Sequence, residues 1–118
     1  MGVGMQIACH GFAGTAAIEA EAEAGALLVR LERFRALIGG CHLAIESRAA
    51  ADGVRRFDVR LDLVMHDTSR WLLPACVGDD LDDTLRRAFK QAEQALIACQ
   101  AGGARVGLRD AAAGSPAQ

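Results

Sequence analysis

The sequence predicts an α+β domain in the order β-α-β-β-β-α, with a four-stranded mixed sheet in sequential order and two helices packed on one face. Three observations lead there. Residues 55–65, RRFDVRLDLVM, alternate: Phe57, Val59, Leu61, Leu63 and Met65 face one way, while Arg56, Asp58, Arg60, Asp62 and Val64 face the other. One apolar and one charged face is the pattern of a sheet covered on a single side. Leu81, Leu85, Ala88, Phe89, Ala92, Leu96 and Cys99 recur at helical spacing, which makes the late segment an amphipathic, docked helix. A strand, helix and strand open the chain, and two short polar turns come after them. The first unit requires a parallel crossover, and the turns require antiparallel neighbours.

Taken in order, residues 5–9 (MQIAC) read as a short strand ending at His10-Gly11. Thr15 is expected to cap a helix over residues 16–36, with Glu19 and Glu21 near its positive end. Large apolar side chains come late in this helix (Leu27, Leu28, Leu31, Phe34), so its first half is only lightly anchored. Gly39-Gly40 is expected to stop it. Residues 41–48 form the second strand and residues 49–53 the turn into the long third strand, which has no Gly or Pro and suits the sheet interior. Residues 66–69 turn into a fourth strand over 71–77, which Pro74 marks as an edge. Asp80, Asp82 and Asp83 form the acidic first turn of the second helix. Residues 1–100 are read as one domain, and residues 101–118, rich in Gly and Ala without periodicity, as a flexible tail.

Composition narrows the function classes. The chain has 118 residues, 52% of them hydrophobic, enough for a buried core. No apolar run reaches the roughly 20 residues a membrane helix needs, and the start lacks a signal-peptide pattern, so a cytoplasmic protein is expected. Net charge is −2 and the pI about 5.9, so nucleic-acid binding would have to come from a local patch. All basic side chains except Lys90 are Arg, the residue suited to bidentate contacts with phosphate or carboxylate.

No catalytic or cofactor motif is present: there is no GxSxG, no P-loop and no GxGxxG. Cys9-His10 and Cys41-His42 lie on strands expected to be neighbours, but successive strand residues point to opposite faces. No single face therefore collects a zinc set, and neither a metal nor a cofactor is expected. A small-molecule substrate and a membrane partner are likewise not expected.

The cations that cluster are Arg30, Arg33 and Arg35 on the first helix and Arg86, Arg87 and Lys90 on the second. If both helices cover one sheet face, these sets can share a positive stripe. The alternative is ordinary solvated helix charge paired with Glu32, Asp82 and Asp83.

Arg30-Leu31-Glu32-Arg33-Phe34, with Ile38 at the start of the next strand, resembles the ribosome hibernation promoting factors, also called sigma-54 modulation proteins. The resemblance extends over residues 5–98, through FDVRLDLVM and LDDTLRRAFKQAEQAL. It implies a non-enzymatic factor that binds ribosomal RNA of the small subunit and blocks the channel for messenger and transfer RNA during stress. The expected contacts are Arg30, Arg33, Arg86, Arg87 and Lys90, with Arg86 at a position where many relatives are basic. The chain departs from the family in carrying Gln91, Glu93 and Gln94 where members usually have basic residues, and in lacking the long C-terminal extension of the dimerising members. A rival expectation is a protein-interaction module of the same fold, anchored by Trp71 and Leu72. A weak homodimer through an exposed strand edge is a further expectation.

Overall fold

A computed structural model describes residues 3–101. The elements are β1 (Gly4–His10), α1 (Thr15–Leu28), a 3-10 segment (Val29–Phe34), β2 (Ile38–Ala49), β3 (Arg55–Met65), β4 (Arg70–Leu72), β5 (Cys76–Gly78) and α2 (Leu81–Gln100). The sheet runs β1-β2-β3-β4, with β5 also paired to β3; β1 and β2 are parallel and the other pairs antiparallel. This is the expected α+β architecture. Apart from Ala101, the expected tail lies outside the described residues.

Alternation decides which face is buried. Cys41, Leu43, Ile45 and Ser47 of β2 point to the core with Val59, Leu61 and Leu63 of β3, and Met5, Ile7 and Cys9 of β1 join them at its margin. Above them lie Leu85, Ala88, Phe89, Ala92 and Leu96 of α2, with Ala20, Ala24 and Leu27 of α1 beside these. Leu31 and Phe34 of the 3-10 segment complete the layer. Among the described residues, no helix lies over the opposite sheet face.

Four local expectations are corrected. Thr15 is the first helical residue and not the cap; Gly14 holds the capping position at φ 67°, where a β-branched residue is strained, and no side chain caps the helix. The long first helix ends at Leu28 and tightens into the 3-10 segment. Gly39 and Gly40 therefore do not stop a helix. They lie within β2, beside a register irregularity between Ile38 and Gly40, where a Cβ on Gly40 would stand 3.1 Å from the Gly4 carbonyl oxygen. The single fourth strand is two three-residue strands, because Pro74 has no N–H to donate and the chain leaves β3 between Leu72 and Cys76.

Gly11 is a turn residue with no room for a side chain. Its φ is 86°, and a methyl group there would run into the carbonyl oxygen of Ser47. Asp80 caps α2 as its acidic first turn suggests, its carboxylate accepting from the Asp82 and Asp83 amides at 3.1 and 3.4 Å. Trp71 pairs with Leu63, points inward and is 7% exposed. It belongs to the core, which leaves Leu72 as the exposed member of the expected anchor pair.

Candidate nucleic-acid interface

Helical spacing places Arg86, Lys90 and Glu93 on the side of α2 that faces α1, since residues four and seven apart share a helix face. Their ion pairs agree with this. Arg86 Nη1 lies 3.9 Å from Glu23 Oε2 on α1. Glu93 receives Arg30 Nη2 at 3.1 Å on one oxygen and Arg33 Nη2 at 3.4 Å on the other. Lys90 is exposed between these two clusters and makes no ion pair among the described residues. The 3-10 segment is what brings the two arginines here: buried Leu31 and Phe34 pin it down, and Arg30 and Arg33 fall on its outer side. The Arg33 guanidinium also lies 4.7 Å from the centre of the Phe34 ring.

Four of the five expected contact residues are thus brought together. The fifth is not. Arg87 turns the other way, toward β5, where its guanidinium donates to the Val77 carbonyl at 3.0 Å and pairs with Asp83 at 3.0 Å. A residue one position along a helix is rotated by about 100°, which is enough to separate it from Arg86.

The stripe is positive but heavily compensated. Four cations share it with Glu93 and Glu23. All four cationic side chains are exposed, whereas Glu93 is only 13% exposed. Glu93 thus acts as a hub holding two guanidinium groups in fixed positions. In the sequence Glu93 stands out only as a departure from a basic pattern, because its role depends on a partner 63 positions away.

The uncovered sheet face carries the expected alternating charges. Arg48 lies 3.8 Å from Glu46 and 3.7 Å from Asp58, and Arg60 lies 3.7 Å from Asp62. Asp62 departs from the expected solvated surface in being buried at 6% exposure. The cysteines fill core space. Burial pushes the Cys41 thiol up to about 12, and burial, then the Glu21 carboxylate, raises Cys9, so both favour the protonated thiol at neutral pH. Among the described residues no group of three or more His, Cys, Asp or Glu could hold a metal ion, and no helix is long and apolar enough to cross a membrane.

Neither the known protein-family patterns nor the curated proteins contain a match to this sequence. Among solved structures the chain is similar to a ribosomal subunit interface protein from Coxiella burnetii. The TM-score is 0.57 at 18% identity, over 84% of this chain and 99% of that one. At that identity the likeness establishes a common fold.

Proposed function

We propose that this chain is a non-enzymatic, ribosome-associated factor of the cytoplasm that binds small-subunit ribosomal RNA and occludes the channel for messenger and transfer RNA. The observation that carries the reading is the shared fold with a ribosomal subunit interface protein, which extends over nearly all of that protein. The stripe of Arg30, Arg33, Arg86 and Lys90 supports it, because exposed cations on a rigid helical surface suit phosphates fixed in folded RNA. Hibernation of ribosomes under stress is the physiological form of this activity.

A second reading, a protein-interaction module of the same fold, draws on one specific observation. Glu93, Glu23 and Asp83 already pair with most of the cations, which lowers their attraction for phosphate. With Trp71 buried, its apolar contacts would be Leu72 and Val77, 58% and 49% exposed.

Sedimentation with purified ribosomes at low and moderate salt separates the two. Occlusion through the stripe requires binding that Arg86→Ala/Lys90→Ala weakens, with the log–log salt slope reduced by about one unit for each phosphate partner removed. Arg87→Ala, directed at β5, leaves that slope unchanged. Glu93→Gln releases Arg30 and Arg33 and strengthens binding at low salt. Absence of co-sedimentation at low salt overturns the reading.

A further inference from the structure

We propose that the uncovered sheet face holds a recognition site for an unpaired guanine base, built around Asp62. The inference stands on this face alone, and the helix-borne cations do not enter it.

The strand register lays rows of side chains across the face, and three adjacent rows frame the site. Gln6, His42, Asp62 and Leu72 form one row; His10, Glu46, Asp58 and Val77 form another. Between them runs Ala8, Ala44 and Arg60. Two alanines in the middle row leave a depression between taller neighbours. It contains a pocket of about 300 Å³ lined by Gln6, His42, Asp62, Arg60 and Arg70. A second pocket of about 430 Å³ adjoins it across Ala44 and Arg60.

The chemistry of the first pocket is unbalanced. The Asp62 side chain is 9% exposed, and its Oδ1 is buried without a hydrogen bond. Arg60 Nε stands 3.7 Å from it, beyond hydrogen-bond range, and the Arg60 side chain is 55% exposed. A buried acceptor left unsatisfied is destabilising, and a ligand that donates to it removes that penalty.

Groups able to donate line the same pocket: Gln6, His42, Arg60 and Arg70. Arg70 Nη2 lies 2.6 Å from His42 Nδ1. A guanidinium can only donate, so Nδ1 accepts and the His42 proton sits on Nε2, available to a ligand. With two arginines near one carboxylate, the pocket disfavours a cationic ligand. It calls for a neutral group that presents adjacent donors to Asp62 and acceptors to the guanidiniums. Guanine has that arrangement: N1–H and the N2 amino group face a carboxylate, while O6 and N7 accept from Arg. Adenine would turn the N1 lone pair toward the carboxylate, and uracil would flank its single N–H with two carbonyls. Arg60, displaced from Asp62, supplies a flat cationic surface for the ring to stack on.

The base could belong to a free guanosine nucleotide or to a single-stranded stretch of RNA. Titration of 15N-labelled protein, monitored through the amides of Gln6, Ala8, His42, Ala44 and Asp62, distinguishes these. GMP, AMP, CMP and UMP are compared with the pentaribonucleotides UUGUU and UUAUU. The expected result is about tenfold or greater preference for guanine in both sets. Tighter binding of UUGUU than of GMP assigns the site to RNA, and the reverse to free nucleotide. Asp62→Asn replaces an acceptor by a donor at constant shape and is expected to abolish the preference, with the rest of the amide spectrum unchanged. Equal shifts from all four nucleotides would mean phosphate binding by arginine and overturn the proposal, as would no shift at millimolar ligand or an Asn variant that still prefers guanine. Ribosome co-sedimentation of the Asn variant is read separately, so failure here leaves the helix-stripe reading standing.

Discussion

The two helices cover the same sheet but are held in different ways. α2 buries Leu85, Phe89 and Leu96 along 20 residues and starts on the Asp80 cap. α1 buries only Ala20, Ala24 and Leu27 over 14 residues, starts at Gly14 without a side-chain cap and carries an exposed glycine at Gly25. Its weight is borne beyond its end, where the 3-10 segment inserts Leu31 and Phe34. The pair shows that an element can be placed by its continuation. α1 stays close because small side chains allow close approach and because Glu93 clamps the 3-10 segment at its C-terminal end.

The difference can be broken most strongly at α2. Phe89→Ala removes a fully buried ring and is expected to cost about 3–5 kcal/mol, read as a fall in the denaturant midpoint. At α1 the sensitive change is enlargement: Ala24 is fully buried, so Ala24→Leu overpacks the contact and is expected to cost about 1–3 kcal/mol by the same measurement. Asp80→Ala removes the cap of α2 and should cost about 1 kcal/mol, bringing its first turn down toward the uncapped state of α1. The smallest effect has the opposite sign. Gly25 is exposed with nothing within 4 Å of a Cβ, so Gly25→Ala should stabilise α1 by about 0.5–1 kcal/mol. Hydrogen exchange detects the change directly: α1 amides exchange faster than those of α2 in the parent chain, and the gap narrows in the variant.

Legibility in the sequence divides along the same line. The strict alternation of β3 and the seven-position stripe of α2 are local patterns that survive folding unchanged, and they place the sheet and its cover. The end of α1 is not local in that sense. Leu28, Leu31 and Phe34 are three apart, a spacing that fits a 3-10 turn as well as an α-helix, so apolar periodicity does not show where one becomes the other. The glycine pair at 39–40 looks like a helix terminator and is instead part of β2, where Gly40 lies close to the Gly4 backbone of the parallel neighbour, which only the β1–β2 register reveals. At the candidate interface the identities of the cations are legible and their company is not. Arg86 and Arg87 differ by one position in sequence and by a whole helix face in space. Asp62 reads as one of four surface charges; its burial is made by neighbours on β2 and β4 that alternation within β3 cannot show.

The proline in the loop between β4 and β5 also has a consequence for assembly. It leaves one border of the sheet as two strands of three residues each, too short and too interrupted to template a neighbouring chain. The other border, β1, is seven residues of regular strand with no proline. Among the described residues β1 is therefore the border open to a second copy, and two copies joined there by a twofold axis would turn the blunt β4–β5 borders outward. Such pairing would end after one step and would not propagate into a fibre.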